Sequence, residues 1–261
     1  MYTPLQPDYL LSKEFPKKIK YRETIIPELS DVLVCMWESE YYVHDGSPIL
    51  ETYLPDGCIS LVISIVNKSI VWGGFSKTEF NMELPVSEKF IGFKFKPGAF
   101  WAMTGIETTA IMDIITPIEN IDNNFDVASF FELGYEEMKK FLIDYFIQIS
   151  QNIKTLEYVQ LFDRINDNYI QNTEELYEFL KLSPRQIQRQ FKKHYGLTPQ
   201  MILSIIKFQY CLAELFYERS ERESLINNYY DQSKFINEFK KNLDLTPVQF
   251  VNLIKTRKTS L

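Results

Sequence analysis

Four polar side chains near the carboxyl end, Arg185, Gln188, Arg189 and Lys192, follow the i, i+3, i+4, i+7 spacing of one stripe along an α-helix. Their chemistry suits the major groove of duplex DNA. Arginine presents a planar fork that grips guanine O6 and N7, glutamine pairs in the same way with adenine N6 and N7, and lysine neutralises a phosphate without reading sequence. Ile187 and Phe191, four apart, turn the opposite face of the same helix inward. Arg185, Gln186, Gln188 and Arg189 are therefore the candidate base readers, and Lys192 and Lys193 the candidate phosphate contacts. A polar stripe on one amphipathic helix is ordinarily just a solvated face, so spacing alone decides nothing.

An internal duplication supplies the missing weight. Residues 182–207, LSPRQIQRQFKKHYGLTPQMILSIIK, align without gaps onto residues 230–255, YDQSKFINEFKKNLDLTPVQFVNLIK, at an offset of 48, with eight of 26 positions identical. Ser183 followed by Pro184 is a helix start signal, and Thr198-Pro199 and Thr246-Pro247 repeat it for the next helix. Gly196 stands where a left-handed residue would close the first FKKHY helix, and Asp244 fills that slot less comfortably in the second copy. Short helices are predicted ahead of each copy, at 173–180 and about 223–227, which makes each unit a helix-turn-helix. The segment from Thr198 to about Tyr217 is a long helix whose Ile202, Ile205, Ile206, Leu212, Leu215 and Phe216 face both units and set their separation. Two units fixed in this way would enter consecutive major grooves, about 34 Å apart. In the second copy Phe235 and Phe239 point inward, leaving Gln232, Ser233, Lys234 and Asn237 as weaker base readers and Lys240 and Lys241 for the backbone. With Glu238 among them and no arginine, that copy should contribute less specificity.

These segments resemble the AraC/XylS class of bacterial transcription regulators. The resemblance is carried by EELYEFLKLSPRQIQRQFKKHYGLTP (174–199) and NYYDQSKFINEFKKNLDLTPVQF (228–250), and it covers the last third of the chain. A weaker likeness to the sensor domain of one AraC-like subgroup lies in YLPDGCISLVISI (53–65) and FIGFKFKPGAF (90–100). The resemblance implies a cupin-like β domain joined by helices to a seven-helix DNA-binding domain. Departures from the family pattern are Tyr177 and Ser224 where alanine is usual, and Asn228 where glycine is usual. The stretch from Leu212 to Tyr230 also runs short, which implies a stunted first helix in the second unit.

The rest of the chain must hold this machinery. From Glu23 to about Thr116, runs of Val, Ile, Phe and Trp are broken by turn residues at Asp45-Gly46, Pro55-Asp56-Gly57, Asn67-Lys68, Gly73-Gly74 and Pro97-Gly98, which reads as antiparallel β. From about Phe125 the apolar period becomes helical, giving two helices up to residue 170. The predicted architecture is α+β: a β-rich sensor domain over residues 1–122, a helical linker or dimerisation segment over 123–169, and an all-α domain with two helix-turn-helix units over 170–261. Aromatic residues of the β half, Trp37, Trp72, Phe93 and Phe95 among them, are candidates to line a ligand pocket, although ordinary core explains them as well.

Composition narrows the classes further. With 45% apolar and 15% aromatic residues, 9 Gly and 12 Pro, this is an ordered globular chain. Net charge is −7, but residues 171–261 hold 14 Lys+Arg against 10 Asp+Glu while residues 1–170 hold 14 against 25, the asymmetry of a DNA-binding module joined to an acidic partner. Three dispersed cysteines, Cys35, Cys58 and Cys211, form no CxxC pair, and only two histidines, His44 and His194, are present, so neither a disulfide framework nor a metal-dependent enzyme is expected. No phosphate loop, nucleophile elbow or dinucleotide fingerprint occurs. Without a signal-like or membrane-spanning run, a cytoplasmic protein is expected. The expectation is a cofactor-free, non-enzymatic regulator that binds double-stranded DNA, responds to an unidentified small-molecule effector and forms a homodimer. The alternatives are an antagonist that keeps the fold without touching DNA, or a small-molecule sensor.

Overall fold

The computed structural model describes residues 4, 14–43, 48–74, 80–84, 88–168, 170, 172–217, 236–237, 239–240 and 245–258. The chain is an α+β protein in which an antiparallel β region precedes a run of helices. A short helix α1 (Phe15–Lys18) leads into β1 (Ile19–Thr24), β2 (Leu33–Tyr41), β3 (Ile49–Tyr53), β4 (Ile59–Ser64), β5 (Ser69–Gly73), β6 (Phe80–Leu84) and β7 (Lys89–Phe95). Helix α2 (Ala99–Thr104) and β8 (Ile115–Pro117) complete this part. Six strands form one sheet in the order β1-β2-β7-β4-β5-β8, and β3 pairs with β6 in a second. Every pairing is antiparallel.

The period of two in the sequence sorts the side chains of the larger sheet onto two faces. Leu61 and Ile63 of β4, Ile70 and Trp72 of β5, and Ile91, Phe93 and Phe95 of β7 are buried together on the core face. The opposite face carries Trp37, which lies over its cross-strand partner Gly92, where a Cβ would collide with the indole ring, and stacks on Tyr21 with ring centroids 6.2 Å apart. Trp37 is therefore separated by the sheet from Trp72, Phe93 and Phe95.

Helices cover the core face. After the short α3 (Val127–Phe130), α4 (Tyr135–Gln151) presents Met138, Leu142 and Phe146 at successive spacings of four, and Phe146 packs its ring against Phe95 at 4.8 Å, Phe93 at 5.3 Å and Trp72 at 6.2 Å. Phe93 and Phe95, fully buried, are thus filled core. Where α4 meets the sheet edge, Glu38 accepts hydrogen bonds from Tyr135 Oη at 2.8 Å, from Lys139 Nζ at 3.0 Å and from the Arg22 guanidinium. Burial alone would raise the Glu38 pKa, but these three donors outweigh it and hold the carboxyl down to about 2. Helix α5 (Glu157–Asp167) buries Val159, Leu161, Phe162 and Ile165. Phe162 sits beneath Gly57, a left-handed turn residue with φ 73°.

The described residues continue with α6 (Thr173–Leu180), α7 (Pro184–Tyr195), α8 (Pro199–Tyr217) and α9 (Pro247–Lys258). Helix α8 belongs to two cores. Its Ile202, Leu203, Ile205 and Ile206 join the cluster that also contains the sheet, α4 and α5, whereas its Phe208, Cys211, Leu212 and Leu215 join a second cluster with Phe239, Phe250 and Val251. At 19 residues this helix is about 28 Å long. Among the described residues no helix is long and apolar enough to cross a membrane, and no group of three or more His, Cys, Asp or Glu could hold a metal ion. Cys35, Cys58 and Cys211 are buried, and burial pushes the Cys35 thiol up to about 12.

Candidate nucleic-acid interface

Helices α6 and α7 form the first predicted unit, and local chemistry sets each of their ends. Asn172 caps α6 by accepting from Glu175 N at 2.9 Å, and Lys181 ends it in a left-handed conformation with φ 52°. Two residues later Ser183 starts α7. Its Oγ accepts from Gln186 N while Gln186 Oε1 reaches back to Ser183 N at 3.0 Å, a reciprocal capping box followed by Pro184 at the first helical position. Gly196 closes α7 at φ 70°, its N–H bonded to Lys192 O at 2.9 Å.

Between these ends the amphipathic division predicted from spacing holds. Ile187 and Phe191 are fully buried, while Arg185, Gln188, Arg189 and Lys192 are exposed. None of these four side chains makes a hydrogen bond or ion pair to the described residues, so their polar heads remain available to a ligand. The other two predicted residues of this helix are placed differently. Gln186 is exposed, but its carbonyl oxygen is engaged by both the Ser183 amide and the Ser183 hydroxyl, at 2.7 Å for the latter, so it serves the helix start. Lys193 is half-buried with its ammonium 5.1 Å from the centroid of the Trp101 ring, facing the β region.

The second copy repeats the division where it is described. Phe239 and Phe250 are fully buried, like Phe191 and Ile202 at the matching positions of the first copy. Asn237 and Lys240 are helical and exposed, like Arg189 and Lys192. Thr246 Oγ1 accepts from Gln249 N at 3.2 Å and Gln249 Oε1 accepts from Thr246 N at 2.7 Å, a second reciprocal cap. Gln232, Ser233, Lys234 and Lys241, together with the helix predicted at 223–227 and residues His44, Ser224, Asn228, Phe235, Glu238 and Asp244, lie outside the described residues.

The carboxyl end of α7 is built into the β half. Thr108 Oγ1 donates to His194 O at 2.7 Å, and Tyr195 Oη donates to Tyr158 O at 2.5 Å. The His194 ring stacks on Tyr158 with centroids 3.5 Å apart and planes 7° from parallel, while Trp101 abuts it edge-on at 4.0 Å. Its Nε2 lies 3.2 Å from Gln190 Oε1, and its Nδ1 is buried without a partner among the described residues. Burial in this apolar stack, helped by the charge of Lys193, lowers the His194 pKa to about 4. A Cβ at Gly196 would collide with the Met112 side chain.

Comparison with known proteins was made against this geometry. Residues 26–117 match the model of a domain of unknown function, DUF6597. This stretch spans β2 to β8. No curated protein matches the chain significantly. Among solved structures the chain is similar to ToxT from Vibrio cholerae, with a TM-score of 0.42 and 10% identity, covering 90% of this chain and 98% of that one. A crystal structure of ToxT bound to an unsaturated fatty acid gives 0.40 and 9% identity, covering 82% of this chain and 98% of that one.

Sequence reasoning missed the residues that join the two halves. Thr108, Trp101, Tyr158 and His194 are distant in sequence, and no local period links them. One signal was present: the FKFKPGAF stretch places Gly98 at φ 85° against Tyr195 and Tyr158, a close approach that a side chain would obstruct. Of the four aromatic residues considered for a ligand pocket, Trp72 lines a cavity.

Proposed function

We propose that this chain is a sequence-specific DNA-binding transcription regulator in which residues 170–261 form the DNA-binding domain, 123–169 the helical linker, and 1–122 the domain that receives a controlling signal. The observation that carries this reading is the repeated helix geometry. Phe191 and Phe239, and Ile202 and Phe250, are buried at matching positions of the two copies, Arg189 and Asn237, and Lys192 and Lys240, are exposed at matching positions, and the first copy displays Arg185, Gln188, Arg189 and Lys192 with no side-chain partner among the described residues. An ordinary solvated face satisfies a helix once. It supplies no reason for a buried phenylalanine, an exposed lysine one position later and a Thr-Pro cap seven positions later to recur at an offset of 48.

Mechanistically, arginine and glutamine would read base edges while Lys192 and Lys240 hold phosphates, and α8 would fix the two units to one another. One chain then carries both groove-entering elements, so recognition of two half-sites does not demand a dimer. Selection of bound duplexes from a random DNA pool, using the full chain, tests the reading. A regulator of this kind enriches one defined motif and binds it with an affinity that falls steeply as salt rises, because phosphate contacts release counterions. Recovery of no motif, with binding no tighter than to random duplex, rejects the reading and favours the antagonist alternative.

A further inference from the structure

A cavity of about 210 Å³ opens between the β5–β8 edge of the sheet and α4. Its floor is made by buried Trp72, Ile118 and Phe146, and its half-buried rim by Met103, Asp122 and Tyr145. Its lining combines apolar side chains with polar atoms, and the charged group among them is Asp122. At the rim, the Asp122 carboxylate accepts from Tyr145 Oη at 2.7 Å and from Asn124 N at 3.0 Å, which orients it and leaves lone pairs on both oxygens. No lysine or arginine lines the cavity.

We propose that this cavity binds a small aromatic amine: one ring among Ile118, Phe146 and Met103, and an ammonium group on Asp122. Size agrees, since an apolar cavity of about 150 Å³ already admits benzene, and the additional space accommodates a short side chain. Charge decides the class. A carboxylate at the rim with no basic residue in the lining attracts a cation and repels an acid. As an effector site the cavity rests on the regulator reading above, whereas as a binding site it stands on its own lining.

Calorimetric titration of the full chain with three probes of one shape tests it: tyramine, uncharged 4-ethylphenol and anionic 4-hydroxyphenylacetate. Tyramine should bind saturably, 4-ethylphenol more weakly, and the acid at least tenfold more weakly than tyramine. Asp122→Asn should abolish the preference for tyramine over 4-ethylphenol while its far-ultraviolet circular dichroism matches the parent. No saturable binding of tyramine at millimolar concentration, equal affinity for all three probes, or an unaltered preference in Asp122→Asn would overturn the proposal. DNA selection run in parallel separates the two readings: binding of tyramine without an enriched motif keeps the site and rejects the regulator, and the reverse outcome rejects the site alone.

Discussion

Arg185, Gln188 and Arg189 differ from Gln186 in what their side chains still have to offer. All four are exposed, yet the carbonyl oxygen of Gln186 is already taken by the Ser183 cap, and only the other three present unengaged polar heads. If α7 reads bases, Arg189→Ala should weaken binding to the selected site by about 1–3 kcal/mol and relax discrimination at one base pair. Lys192→Ala should weaken selected and random duplexes alike and reduce the slope of log affinity against log salt by about 1. Fluorescence anisotropy titrations at several salt concentrations measure both, and an Arg189→Ala variant that discriminates as the parent does would remove the base-reader assignment. At this scale the sequence was informative because helical spacing decides which residues share a face. It did not foresee the partners of Gln186 and Lys193, because a residue on the polar face has local and long-range partners to choose from: the capping serine three positions back, and a tryptophan in another part of the chain.

The elements themselves were largely legible, since their ends are written in short-range chemistry. Ser183-Pro184, Thr198-Pro199 and Thr246-Pro247 each precede a helix at the expected residue, and Gly196 adopts the left-handed geometry its position required. Strands β2 to β8 and the helices α4 and α5 fall within the predicted stretches, whereas β1 begins at Ile19, ahead of the predicted start at Glu23. Lys181 was not foreseen as a left-handed residue, because lysine carries no preference for that region. Lys181→Gly should therefore stabilise the chain by about 0.5–1 kcal/mol by relieving that conformation. Gly196→Ala should act in the opposite direction and more strongly, costing at least about 1–2 kcal/mol from the backbone alone and more from displacement of Met112. Urea unfolding midpoints of the two variants check both signs, and a neutral Gly196→Ala would mean that α7 does not approach Met112 closely.

At the scale of the whole molecule, one apolar cluster extends from the sheet through α4 and α5 into Ile187, Phe191 and Tyr195 of α7, so the first predicted DNA-binding unit shares its core with the β half. Hydrophobic period indicates that each helix has an inner face but not which distant element covers it, so apart from Gly98 nothing in the sequence marked this joint. His194 lies at its centre, and its titration reports on the joint. Burial lowers its pKa from 6.5 to about 4, so between these values the unfolded chain binds a proton that the folded chain does not. Stability contributed by neutral His194 is fully present above pH 6.5 and is lost progressively as pH falls toward 4, by up to about 3 kcal/mol at roughly 1.4 kcal/mol per pKa unit. Glu38, held down to about 2 by its three donors, loses its contribution between its ordinary value of 4.5 and 2, so the two windows overlap only near the acid end of the His194 range. His194→Phe, which preserves a ring between Tyr158 and Trp101 but cannot titrate, should unfold at a urea concentration that changes less than the parent's between pH 6.5 and 4. Parallel pH profiles for the two proteins across that range would show that the ring is open to solvent and that the halves are not joined there.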